Sequence, residues 1–179
     1  MWTEDIPKFE GKYFSIKNAL CEPKPIQKPH PPLTIGGSGE KLTLKVVAEY
    51  GSRSNWSGSV AEFKHKLNVL RAHCERVGRD YGEIEKSWFG RVLISDNRRD
   101  LRNRLKELYL NGNLYFRRPQ TFEDWLKKLD EGHLVGTLSD CLERIRAYTD
   151  LGVSYFMLNF LDFPSTRSMK KMRRGLKSQ

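Results

Sequence analysis

Nothing in the sequence approaches the roughly 18 to 20 consecutive apolar residues of a membrane-crossing helix, so no membrane span and no membrane partner are expected. Cysteine is scarce. Cys21, Cys74 and Cys141 are odd in number, far apart and without CxxC spacing, which excludes a disulfide framework and a thiolate zinc site. The four histidines, His30, His65, His73 and His133, show no HExxH or comparable ligand spacing, so no metal is expected and they read as surface residues. Acidic residues are absent after Asp162, and proline is almost absent after Pro32, recurring only at Pro119 and Pro164. The opening MWTEDIPKF carries neither the basic nor the apolar segment of a secretory leader, and a cytoplasmic protein is expected.

What remains suits one sizeable core: 179 residues, 38% hydrophobic. The formal charge of +10 invites an anionic partner, but six of the cations are crowded into Arg167, Lys170, Lys171, Arg173, Arg174 and Lys177, behind the last acid. The body is nearly balanced, and nucleic-acid binding is disfavoured. At the other end six prolines fall within residues 1–32, culminating in PKPIQKPHPP, a density that forbids helix and favours an extended arm. The expected organisation is a Pro-rich arm over 1–32, an α/β body over 33–163 and a basic tail over 164–179.

Within the body, strand-like and helix-like segments alternate about four times. Leu33 to Ile35 precedes a helix over about Glu40 to Tyr50, which Gly51 is expected to end in the left-handed conformation. A brief segment ends at Trp56. Ser59 with Glu62 forms a capping box, after which Phe63, Leu67, Leu70 and Cys74 share one helical face as far as Gly78. WFGRVLIS, Trp88 to Ser95, reads as a buried strand followed by a helix around Leu101 to Leu110. Thr121 with Asp124 and Thr137 with Asp140 cap two more helices. VSYFMLNF, Val153 to Phe160, reads as a strand covered on both faces. Such alternation implies parallel strands with right-handed crossovers.

The junction PLTIGGSGEK concentrates chemistry. An apolar strand stops at Gly36, Gly37, Ser38 and Gly39, and a helix follows. In a parallel α/β unit this is where ligands bind, because glycine lets backbone N–H groups converge on an anion beside a helix amino terminus. A phosphate is the natural guest, and Lys41 is placed to add charge. GGSG is nonetheless neither a P-loop nor GxGxxG, and a tight turn calls for glycine even without a ligand.

The run FEGKYFSIKNALCEPKPIQKPHPPLTIGGSGEK, together with GTLSDCLERIRAYTDLGVSYFMLNF, resembles bacterial-luciferase-like monooxygenases and F420-dependent oxidoreductases, over about Met1 to Phe160. The resemblance implies a partial TIM (β/α)8 barrel of about four βα units, corresponding to strands five to eight of the family barrel. It implies coenzyme F420 (8-hydroxy-5-deazaflavin) or FMN as cofactor, with Gly36, Gly37, Ser38 and Gly39 around its phosphate. The first four strands of the family barrel find no counterpart here, and a chain truncated to the carboxyl-terminal half is expected. Family members usually carry Asp-Gly-Trp where this sequence has Arg53-Ser54-Asn55-Trp56. Expected partners are the cofactor and a second copy or a complementary half-barrel chain. A non-catalytic binding or assembly module is the alternative to an oxidoreductase.

Other residues stand out less. Trp88, Phe89, Tyr155 and Phe156 fit a ring-binding pocket or an ordinary core. Asp80, Glu83 and Glu85 read as a solvated loop. Arg91, a charge inside an apolar strand, needs a partner or an anion in the barrel interior.

Overall fold

The computed structural model describes residues 1–111 and 121–177; Pro119 lies outside them. The chain divides into two compact units, Met1–Leu33 and Thr34–Gln179.

The first unit has little regular structure because its prolines remove ladder donors. Strands β1 (Phe9–Glu10) and β2 (Ser15–Ile16) pair antiparallel, and the Gly11 N–H donates to the Phe14 carbonyl at 2.9 Å to close the hairpin. The Lys24 ammonium donates to the carbonyls of Met1 and Glu4.

The second unit runs β3 (Thr34–Gly36), α1 (Thr43–Tyr50), β4 (Arg53–Trp56), α2 (Val60–Val77), a 3-10 turn (Tyr81–Glu83), β5 (Glu85–Ile94), α3 (Arg98–Leu110), α4 (Phe122–Gly132), β6 (Leu134–Gly136), α5 (Leu138–Asp150), β7 (Val153–Phe160) and α6 (Arg167–Lys177). Every strand pair in it is parallel. Trp88 is opposite both Trp56 and Phe156, so β4 and β7 lie on opposite edges of β5. Val92 is opposite both Leu134 and Phe160, which puts β6 on the same edge as β4 but at the carboxyl end. The sheet is therefore four strands wide, β3-β4-β5-β7, with β6 filling the space above β4. β6 is absent from the sequence reading because three residues beside a capping box leave no period to detect.

Side chains alternate across this sheet. Ile35, Trp56, Trp88, Val92, Ile94, Phe156, Leu158 and Phe160 pack outward against α1, α2 and α5, with Leu44, Val47, Phe63, Leu70, Cys141 and Tyr148. The Trp88 and Tyr148 rings lie 5.1 Å apart, and the Tyr148 hydroxyl donates to the Gly58 carbonyl at 2.7 Å. Each fully buried large side chain here contributes about 1.5–3 kcal/mol. The other face presents Arg53, Asn55, Glu85, Phe89, Arg91, Tyr155, Met157 and Asn159, and Phe89 and Tyr155 remain 38% and 42% exposed. Coverage of VSYFMLNF on both faces is thus corrected: β7 packs on one face and is open on the other. Among the described residues, the carboxyl end of the inner face is covered where Leu93 and Val135 join Leu105, Trp125 and Leu129 of α3 and α4.

The caps form as their residues require. Ser59 and Glu62 make a reciprocal box on α2, Thr137 and Asp140 another on α5, and Thr121 accepts from the Asp124 N–H. Gly51 differs: its φ of −77° is extended, and a β-carbon there would lie 2.9 Å from the Val47 carbonyl oxygen. Close approach, rather than a left-handed conformation, selects glycine.

Candidate functional site

Gly36, Gly37, Ser38 and Gly39 leave the carboxyl end of β3, as a ligand loop should. The Gly37 N–H is already engaged, donating to the Asn55 carbonyl at 2.9 Å and prolonging the ladder. Its φ of +126° then swings the chain away from the sheet. Beyond it, the N–H groups of Ser38, Gly39 and Glu40 have no acceptor among the described residues. The Gly39 carbonyl accepts from the Leu44 N–H at 3.0 Å, which ties the loop to α1. A β-carbon on Gly39 would fall 2.9 Å from Thr43 Oγ1, and one on Gly37 3.2 Å from Thr43 Cγ2. At Gly36 the nearest atom is 4.0 Å away, so that glycine is not sterically required.

Helix α2 fastens the loop from below. The Lys66 ammonium donates to the Ser38 carbonyl at 3.0 Å and to Glu40 Oε1 at 3.4 Å. His73 Nε2–H donates to the Glu40 carbonyl at 2.8 Å, and His65 Nε2 is 3.3 Å from Glu40 Oε1. The hydrogen bond from Lys66, with the nearby His65, holds the Glu40 carboxyl below its ordinary range. Sequence reasoning named Lys41 as the added charge; Lys66 is the cation that touches the loop. Three N–H donors thus precede α1, beside an ammonium that is paired with the Glu40 carboxylate.

The inner face holds the second group of residues. Arg53 and Glu85 form an ion pair across β4 and β5, and the Arg53 guanidinium lies 4.2 Å from the Tyr155 ring centroid. Ser154 Oγ donates to Glu85 Oε1 at 3.2 Å, and Asn55 Nδ2 to Ser87 Oγ at 2.9 Å. Glu85 is therefore part of the sheet, not of a solvated loop. Trp88 and Phe156 are core, whereas Phe89 and Tyr155 look onto the open face. Arg91 is half-buried on that face, and desolvation draws its guanidinium below its ordinary value. His133, expected at the surface, is instead partly buried in the sheet edge between β4 and β6. Its Nδ1 accepts from the Arg91 N–H at 3.3 Å, and burial, with Arg91 and Arg144 nearby, pushes its pKa down to about 4.

A cavity of about 730 Å³ lies elsewhere, between α3, α4 and α5. Its rim is an array of ion pairs, Arg98–Asp140, Arg102–Glu123 and Arg144–Asp130, which offset one another, and it includes no residue of the glycine loop.

A family model of luciferase-like monooxygenases matches residues 1–155. The chain belongs to this family. An FMNH(2)-dependent dimethylsulfone monooxygenase from Pseudomonas putida is 28% identical over 191 residues, spanning 91% of this chain and 50% of the relative. Among solved structures, an F420-dependent secondary alcohol dehydrogenase superposes with a TM-score of 0.70 at 17% identity, over 96% of this chain and 54% of that one. The coenzyme F420 dependent tetrahydromethanopterin reductase from Methanopyrus kandleri superposes with a TM-score of 0.67 at 15% identity, over 97% and 58%. This luciferase-like chain spans about half the length of the relatives it matches, and its parallel α/β architecture is that of a partial TIM barrel.

Proposed function

We propose that this chain is the cofactor-phosphate half of a flavin- or deazaflavin-dependent oxidoreductase, with Gly36, Gly37, Ser38 and Gly39 as its phosphate cradle. The observation that carries the reading is the set of available N–H donors on Ser38, Gly39 and Glu40, held at the carboxyl end of β3 by Gly37 and from below by Lys66. Donors fixed before the ligand arrives need no reorganisation when it binds. The residues fit a phosphate group of FMN or F420, and the bound ring system would supply the hydride and electron chemistry. Ser38 and Gly39 orient the phosphate through their N–H groups, Lys66 adds positive charge, and Glu40 keeps Lys66 directed at the loop.

A second reading, an assembly module, rests on the open inner face. Parallel sheets are found almost only with both faces covered, yet Phe89 and Tyr155 remain open here. Four further strands, from this protein's own further sequence, a separate chain or a second copy, would cover it. A cytoplasmic setting goes with both readings and is supported by three free cysteines, of which Cys74 and Cys141 are buried without a partner thiol.

Titrating the chain with FMN and with F420, following the ligand's fluorescence, tests the first reading. Saturable binding that competes with inorganic phosphate is expected. Binding of the ring moiety alone, riboflavin as tightly as FMN, would remove the phosphate assignment.

A further inference from the structure

Helices α3, α4 and α5 turn matching stripes toward the cavity between them, at i, i+3, i+4 and i+7 on each: 98, 101, 102 and 105, then 123, 126, 127 and 130, then 140, 143, 144 and 147. Its walls are apolar at Leu101, Leu105, Leu126, Val135 and Ala147. At about 730 Å³ it falls within the roughly 300–1,000 Å³ of small-molecule sites.

Most of the charges around it are committed. Each pair of helices is joined by one ion pair: Arg98 with Asp140 across α3 and α5, Arg102 with Glu123 across α3 and α4, and Arg144 with Asp130 across α5 and α4. Second anchors hold these charges in place. Asp140 also accepts from the Thr137 N–H at 3.0 Å, Arg102 reaches Glu123 through both Nη atoms, and Arg144 donates to the His133 carbonyl. Of the lining charges, Lys127 on α4 and Glu143 on α5 are left without an ion pair or hydrogen bond among the described residues, and both are exposed.

That remainder selects the occupant. An apolar molecule would strip water from both charges and give neither a partner. A lone anion would satisfy Lys127 and meet repulsion from Glu143, and a lone cation would do the reverse. A molecule with one charge of each sign leaves neither residue unpaired, and the spacer between its ends can lie along the leucines.

We propose that this cavity binds a small zwitterion, an ammonium and a carboxylate joined by an apolar spacer. The ammonium meets Glu143, the carboxylate meets Lys127, and the spacer covers Leu101, Leu105 and Leu126. The site shares no residue with the glycine loop and does not depend on the cofactor assignment.

The probe is 6-aminohexanoate, with hexanoate, hexylamine and glycine as controls that lack one charge or the spacer. Titration into the 179-residue chain is followed by amide chemical shifts. Saturable binding about tenfold tighter than that of any control is expected. K127E and E143K should each abolish it, and the double exchange K127E/E143K should restore it to within about threefold, because the probe can reverse its direction. Both positions are exposed, so thermal melts of the charge variants should match the parent. Ala147→Phe, which fills the cavity and leaves every charge in place, should also abolish binding; should that variant fold poorly, the charge exchange still decides. Equal affinity for hexanoate or hexylamine, no binding of the zwitterion, binding retained in K127E, or a double exchange that fails to restore it would overturn the inference.

Discussion

Gly37 holds a φ of +126° while its N–H completes the ladder with Asn55, and Gly36, one residue earlier, has open space where a β-carbon would go. The two glycines should therefore respond differently. Gly37→Val forces a β-branched residue into a backbone region that costs of order 1–3 kcal/mol and brings its side chain against Thr43. Cofactor affinity is expected to fall about tenfold or more, while Gly36→Ala changes it little; equal losses in a binding titration would count against the cradle. His133 makes a second residue-scale prediction. Its folded pKa of about 4 lies below the ordinary histidine value of 6.5, so the native state keeps it neutral while the unfolded chain takes up a proton first. Its contribution to stability is full above pH 6.5 and is lost as pH falls toward 4, by no more than about 3 kcal/mol. Glu62 and Asp140 are held below their ordinary values by hydrogen bonds from Ser59 and Thr137, and their contributions are lost at lower pH still. Urea midpoints should thus drop between pH 7 and pH 5 in the parent, and His133→Phe should flatten that interval; an unchanged slope would show that His133 is not the titrating group.

Helix α5 shows which elements the sequence made legible. Thr137 and Asp140 stand three residues apart because each side chain satisfies the other's backbone N–H, and that reciprocity is local, so it can be read without the fold. Thr137→Ala should cost about 1 kcal/mol, measured by denaturant unfolding. The boxes on α2 and α5, the cap on α4 and the strands at β5 and β7 were all legible for this reason or from their apolar runs. What was not legible depends on neighbours distant in sequence. Gly51 is set by its approach to Val47, Gly175 by the depth of α6 against Leu138, and β6 exists only because β5 offers an edge above β4. At the candidate site, the glycine loop was visible, but Lys66 was not, because its contact with Ser38 requires α2 to pass beneath the loop. Gly175→Val should lift α6 from α5 and destabilise the chain by about 1–3 kcal/mol, a loss that Gly175→Ala should show only in part.

Taken as a whole molecule, the described residues build one well-packed outer face and an inner face closed only near α3 and α4. Two predictions follow from that asymmetry. The 179-residue chain, purified alone, should associate, because open parallel edges and exposed aromatic side chains favour it; light scattering at low concentration that reports only monomer would mean the open face is stable in water. The same chain should turn over substrate poorly, since catalysis needs groups fixed together around the reacting atom and the inner face presents one wall; steady-state oxidation by the isolated chain would contradict this. The placement of β5 has a further consequence during synthesis on the ribosome. β5, the longest strand of the sheet, is paired to β4 and β6 on one side and to β7 on the other. As the polypeptide emerges, Trp88 waits for Phe156, and at about 5–20 residues per second the gap lasts several seconds. Throughout that interval WFGRVLIS is an unfinished edge in a crowded cell, so nascent-chain chaperones should be engaged most heavily between the appearance of β5 and that of β7.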